Sequence, residues 1–424
     1  MLKRFFGIFL LLGMLVACTE DDGPTIKPEP TPADDSVTIL SYLIANNDLD
    51  YFMKINVCIM YDGMAVMTEP ATLLIYWDGQ TAIGENKSKH LILKYETDGK
   101  GKINGKTALD YSMFDDDMNK YIKAVLDEGV ILKEYPEQLS TNKDVMATVL
   151  QDMADFSPTQ NFGLIVGSHG SSWYNTITTT RALGYDGSTS NSINLPDMVE
   201  AMESLEKPFK FILFDACYMS TMEVAYEFRH VADYQIASVM EVPAYGFPYD
   251  YFMGDLYKGT VEGYKQVCQS FVDYYKSVYD EGDIAWGTIA LIDSKEVESM
   301  TQSIHQQIVA HKDTLASYEP KRIQEYGRYA GHGIAYDLEH FVKDLNGGET
   351  PTAFAEQLEK TVLYKGCLEN SRYYSFDYDV DAANYCGLGI YIPQSNKSTW
   401  NPYFKTLEWY EASGWSEVSF SWGF

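Results

Sequence analysis

Val37–Ala45, Asn161–His169 and Phe209–Asp215 are short runs dominated by apolar, β-prone residues, without the apolar–polar alternation of a half-exposed strand. Such runs suit strands buried on both faces, which is the condition of a parallel sheet covered by helices. Ala71–Trp77, His90–Tyr95 and Tyr234–Met240 read as further strands, the second followed by Asp98-Gly99 and Gly101 as turn signals. Helical patterns lie between them, over about Leu49–Met60, Asn142–Phe156, Leu195–Leu205 and Ser220–His230. Asn46-Asn47-Asp48 and Asn194 with Pro196 are start signals for two of these helices. Strands alternating with helices predict an α/β domain over 37–254, with a mostly parallel sheet and helices on both faces. Beyond 255 the pattern is less regular. Helices near 260–280, 294–312 and 351–364, and strands near Trp286–Ile292 and Leu388–Ile392, predict a smaller α+β region packed on the first.

The first 36 residues belong to no such unit. Lys3 and Arg4 precede twelve apolar residues, Phe5–Val16, which is short for a membrane span but suits a signal-peptide core over 1–17. Leu15-Val16-Ala17-Cys18 resembles a bacterial lipobox, in which Cys18 takes the lipid; the alternative is an ordinary secretory signal. Thr19-Glu20-Asp21-Asp22 resembles the acidic export tag of surface lipoproteins, and 18–36, with four prolines, reads as a tether. The expected location is the outer membrane or cell surface, otherwise the periplasmic face of the membrane, with contact through the lipid anchor only. The chain has 61 acidic against 32 basic residues, a formal charge of −29. That surface repels phosphate backbones, so nucleic acid is excluded as a partner.

Two strands end in reactive residues, His169-Gly170 and Asp215-Ala216-Cys217. In an open parallel sheet the carboxyl ends of the strands form the ligand crevice. An imidazole facing a thiol there favours thiolate and later protonates an amine leaving group. The N–H groups of Gly170 and Cys217 are candidates to stabilise an oxyanion, and the dipole of the helix near 220–230 would also favour thiolate. Taken singly, a strand-end Cys or His is more often a buried structural residue. Their joint occurrence at two strand ends favours chemistry.

Ser168-His169-Gly170-Ser171-Ser172-Trp173 and Phe214-Asp215-Ala216-Cys217-Tyr218-Met219, with Glu223-Val-Ala-Tyr-Glu227, resemble the two signatures of clostripain-like cysteine peptidases. Tyr42–Asp50, Glu241–Tyr249 and Gly387–Pro393 extend the resemblance over nearly all of the chain after the tether. The family has a caspase-like fold, and caspases also place the His about 50 residues before the nucleophile; here the separation is 48. The resemblance implies Cys217 as nucleophile and His169 as general acid/base. It implies Asp215 as the carboxylate that receives Arg or Lys before the scissile bond, with Glu241 as a second candidate for that pocket. Read alone, Asp215 is equally a structural acceptor and Glu241 a loop acid. One departure stands out: Ser172 occupies a place where the family commonly has Gly.

Some members cut themselves after a basic residue between the dyad partners. Arg181 is the one basic residue between His169 and Lys207, so a cut at Arg181–Ala182 is expected, against an uncut surface loop. No cofactor is expected. Calcium dependence occurs in the family without being universal; no EF-hand spacing exists, and Asp377-Tyr-Asp379-Val-Asp381 reads as a solvated face. His332 reads as a turn residue, and Cys58, Cys268, Cys367 and Cys386 as structural, with pairing open among them. The expected activity is a cysteine endopeptidase acting on protein or peptide substrates after Arg or Lys. The rivals are a glycan-binding surface lipoprotein and an inactive peptidase fold.

Overall fold

The computed structural model describes residues 36–423, apart from 82–87, 116, 175–183, 189–190, 281–284, 328–332, 370–371, 374–375 and 378–379. Among them no helix is long and apolar enough to cross a membrane. The signal, Cys18 and nearly all of the tether lie outside the described residues.

Along the chain the main sheet is built from β1 (Thr38–Ala45), β2 (Ala71–Gly79), β3 (His90–Thr97), β4 (Lys102–Ile103), β5 (Lys106–Thr107), β6 (Val130–Glu134), β7 (Phe162–Gly167), β8 (Phe211–Asp215), β9 (Tyr234–Ala237) and β10 (Thr288–Asp293). The strand Val362–Cys367 completes it beside β10. The expected parallel arrangement holds in the centre, where β9, β8, β7, β1 and β2 run side by side in parallel. The flanks are antiparallel: β3 on β2, β10 on β9, and Val362–Cys367 on β10. The region beyond 255 thus contributes two strands to the same sheet.

The central strands explain why their sequences are apolar throughout. Leu40, Tyr42 and Ile44 of β1, with Leu164 and Val166 of β7 and Ile212 and Phe214 of β8, enter one buried cluster. Their neighbours Ile39, Leu43, Ile165, Phe211 and Leu213 enter the other. Successive side chains point to opposite faces, and here both faces are dry. Helices α3 (Lys143–Phe156) and α4 (Leu195–Glu203) cover the first face, and α1 (Asp50–Ala65) and α2 (Met118–Glu128) the second. Asn194 caps α4 as its position predicts, its side-chain oxygen accepting Asp197 N–H, and Asn142 caps α3 in the same way through Asp144 and Val145 N–H.

The helix after the cysteine is shorter than expected. It is α5 (Met222–Glu227), one and a half turns that begin five residues beyond Cys217. Its two acids fasten the C-terminal segment: Glu223 Oε1 accepts Tyr391 N–H at 2.8 Å, and Glu227 Oε1 accepts Trp409 N–H at 3.3 Å. Burial pushes both carboxyls up to about 7, against the lowering effect of those bonds. Because folding raises the Glu223 pKa, its ionisation is costlier in the folded chain. The stability is fully present below about 4.5 and is lost as pH rises through about 7. Glu223→Gln keeps an acceptor for Tyr391 and removes that titration. Its melting temperature relative to the parent should therefore be higher at pH 8 than at pH 5, by on the order of 2 kcal/mol of stability; a difference independent of pH would refute the argument.

Candidate active site

The register of the central sheet brings the two reactive segments together. Gly167 of β7 pairs with Asp215 of β8, so His169 and Cys217 each lie two residues beyond a paired position. Ser168 N–H donates to Asp215 O at 3.2 Å and continues the pairing past the strand ends. Gly170 then passes so close to the nucleophile segment that a Cβ there would lie 2.4 Å from Cys217 O and 2.9 Å from Cys217 N. No side chain fits in that space, so glycine at 170 is what lets the two loops meet. The expected oxyanion donors, Gly170 and Cys217, are thereby adjacent.

Cys217 is part-exposed, and Val242 N–H donates to its Sγ at 3.4 Å. Val242 lies in the segment after β9, which is tied to the nucleophile loop by Tyr218 N–H to Met240 O (3.0 Å) and Ser220 N–H to Ser238 O (2.9 Å). This backbone donor replaces the helix dipole expected from the sequence, because α5 is too short and starts too far along the chain. Among the described residues the other four cysteines, Cys58, Cys268, Cys367 and Cys386, are free thiols, so none of them pairs with another. Cys58, Cys268 and Cys386 are buried and their pKa values pushed upward by burial. Burial pushes Cys367 up to about 11. Cys217 shares its part-exposure with Cys367 and is set apart by its backbone donor and its place at the strand ends.

The His169 ring has a partner that the sequence did not suggest. Its Nε2 lies 2.7 Å from Asp48 Oδ1, and Tyr185 O–H donates to the same oxygen at 2.6 Å. The Tyr185 ring also lies parallel to the imidazole, 9° from coplanar with centroids 5.1 Å apart. Asp48 sits where a helix cap was expected; instead Asn47 Oδ1 takes the Leu49 N–H, leaving Asp48 for the histidine. A lone acid before a helix resembles a cap, and only the tertiary fold distinguishes the two.

Asp215 is nearly buried beneath the crevice. Its Oδ2 accepts from Asn56 Nδ2 at 3.2 Å and Tyr249 O–H at 2.9 Å, and Phe247 N–H also donates to the carboxyl. Burial nevertheless pushes it up to about 6. Gly246, at φ +70°, passes over it; a Cβ there would lie 2.5 Å from Oδ2. Of the two readings offered by the sequence, these bonds give Asp215 the geometry of the structural acceptor. Glu241 is buried next to Val242, and its backbone oxygen accepts from Trp286 Nε1 at 3.1 Å.

Ser172, the departure from the family pattern, has φ +58°, a left-handed conformation that favours glycine. Its hydroxyl lies 2.7 Å from Thr221 Oγ1, in a fully buried bond that links the histidine loop to the segment before α5. Beneath it Trp173 packs on Tyr391, Trp400 and Phe404 of the C-terminal region.

Arg181, Ala182 and His332 lie outside the described residues, as does Asp379. Asp381 caps the short helix Ala382–Asn384, accepting from Ala383 N–H. Among the described residues no group of three or more His, Cys, Asp or Glu is arranged to hold a metal ion. A cavity of about 1070 Å³ lies at the opposite ends of the strands, beside Thr38, Ala71 and Tyr257. It is roughly 25 Å from the dyad along β1 and holds none of its chemistry.

A part-exposed thiol beside a backbone donor, with a histidine at the adjacent parallel strand end, suits a cysteine hydrolase of caspase-like architecture. The clostripain family profile matches residues 41–422. The chain therefore belongs to the clostripain family and is a cysteine peptidase. It is similar to an inactive zymogen C11 protease from Parabacteroides distasonis, at 26% identity and TM-score 0.69, covering 90% of this chain and 99% of that one. A secreted C11 cysteine protease from Bacteroides thetaiotaomicron, solved with an irreversible peptide inhibitor, shares the fold at 23% identity and TM-score 0.69, covering 90% of this chain and 100% of that one. Comparison with curated proteins gave no match.

Ser172→Ala keeps the left-handed backbone and deletes the buried bond to Thr221. It should destabilise by about 1–2 kcal/mol. Ser172→Gly loses the bond but relieves the backbone, so it should be the more stable of the two in denaturant unfolding. The reverse order would show that the left-handed backbone at 172 carries no strain for glycine to relieve.

Proposed function

We propose that the enzyme hydrolyses peptide bonds after Arg or Lys through a Cys217/His169 dyad. The observation that carries this reading is the contact of Gly170 with the Cys217 backbone, which joins the histidine loop to a part-exposed thiol bearing its own N–H donor. The thiolate attacks the scissile carbonyl carbon, and the oxygen takes up negative charge beside the Gly170 and Cys217 N–H groups. Imidazolium returns a proton to the amine as the C–N bond breaks. Imidazole then takes a proton from water as it attacks the thioester, and the thiol leaves.

Asp215 supplies the preference for a cationic side chain, with Glu241 as a second acid flanking the same loop. A carboxyl pushed up to about 6 is half-protonated near that pH, and a guanidinium or ammonium binds its charged form. KM for Arg and Lys peptides should therefore fall as pH rises through about 6, and this dependence should vanish in Asp215→Asn. A KM as pH-dependent in that variant as in the parent would return Asp215 to a purely structural role. Cys217→Ala should abolish turnover of both substrates with the fold intact.

Maturation by a single cut at Arg181–Ala182 is part of the proposal, supported by the zymogen form of the relative from Parabacteroides distasonis. Chain sequencing of active enzyme should find a new N-terminus at Ala182, and fully active uncut chain would exclude the step. Cys18 with the tether 18–36 is proposed to hold the enzyme on a membrane surface by lipid alone.

A further inference from the structure

We propose that Asp48 is a positioning residue for His169, making the dyad a three-residue Cys–His–Asp arrangement with Tyr185 as its brace; this rests on the dyad reading above. A carboxylate only accepts hydrogen bonds, so the 2.7 Å contact with Asp48 Oδ1 assigns the proton of neutral His169 to Nε2. The lone pair is then on Nδ1, which becomes the nitrogen that exchanges protons with Cys217 and the leaving group. Asp48 thus selects the tautomer, and the parallel Tyr185 ring fixes the plane of the imidazole.

The brace is itself anchored. Buried Asn47 donates through Nδ2 to Ile44 O at 3.1 Å and to Tyr185 O at 2.9 Å, and its Oδ1 holds the Leu49 N–H. One side chain therefore fixes the turn that carries Asp48 and the backbone of Tyr185. One residue further, Asp186 accepts from Asn46 Nδ2 at 2.7 Å, and Gly187 N–H returns to Asn46 O at 2.7 Å. The end of β1 and the segment 184–188 are joined on both sides of the contact.

The Asp48 carboxylate is bonded by His169 and Tyr185. Nearby Asp50 is engaged by Lys54 at 2.6 Å and by Gln80 N–H at 2.9 Å. The Asp48 side chain is 72% exposed, so packing does not require it. Desolvation raises its pKa, yet the bonds from Tyr185 and His169 and the charge of His169 prevail and hold the carboxyl below its ordinary range. Asp48 reaches His169 from its turn, and Tyr185 reaches it from the segment 184–188. The carboxylate favours imidazolium, so it raises the pH at which His169 loses its proton and activity declines on the alkaline side.

The test is the pH dependence of kcat and kcat/KM on an Arg reporter peptide for the parent, Asp48→Asn, Tyr185→Phe and Cys217→Ala, with melting temperatures alongside. Asp48→Asn should lower kcat about 10- to 100-fold with KM unchanged, and move the alkaline limb to lower pH. That loss is smaller than for a buried triad acid because water screens an exposed carboxylate. Tyr185→Phe should lose a few-fold in kcat, and neither variant should melt earlier than the parent. An unmoved alkaline limb with parental kcat in Asp48→Asn overturns the role of Asp48. So does a loss of kcat that tracks a fall in melting temperature. An active Cys217→Ala would instead overturn the dyad reading itself, so the two failures are distinguishable.

Discussion

Everything at this site depends on two backbones that touch. Gly170 lies against Cys217 at a distance that no Cβ tolerates, and that contact joins the histidine and cysteine ends of two strands. Its cause is the register of β7 and β8, in which Gly167 faces Asp215 and the chain continues three residues to Gly170 and two to Cys217. Sheet geometry holds such an alignment more firmly than loop contacts can, because a one-residue slip would turn every buried side chain of the strand to the opposite face.

Around that contact, each loop is tied down by a different region. The nucleophile loop is fastened to the segment after β9, whose Val242 N–H reaches the sulfur. The histidine loop is linked to Thr221 through Ser172 and rests on the C-terminal aromatic cluster through Trp173. The histidine ring is braced from the end of β1. Residues from four stretches of sequence therefore converge on a thiol and an imidazole, and the C-terminal region is part of the support rather than an appendage.

The sequence was most legible where burial imposes a simple pattern. Burial on both faces makes the central strands legible, the helical period reveals α3, and Asn194 with Pro196 marks the start of α4. The antiparallel flanks carried no comparable signal, since β3 and β10 read as ordinary apolar runs in either direction. Helix α1 runs to Ala65, past the expected end at Met60, and Gly63 explains why. A glycine weakens a helix, but a Cβ there would lie 2.7 Å from Met253 Cβ, so it admits the helix Tyr249–Tyr257. At the site, His169, Cys217 and Asp215 were legible because they end strands and carry a family resemblance. Asp48 and Tyr185 were not, because a carboxylate before a helix and a tyrosine in a polar loop acquire meaning only when β1 and the segment 184–188 are brought together.

On the proposed dyad, Cys217 is the thiol that the fold activates among the five of the described residues, through an imidazole and a backbone donor. Brief alkylation with iodoacetamide at pH 6, mapped by mass spectrometry on the native enzyme, tests it directly. Labelling should concentrate on Cys217, and His169→Ala should slow that labelling by at least about tenfold because the thiolate loses its partner. Equal labelling of Cys367, or a rate at Cys217 unchanged without His169, would contradict the account.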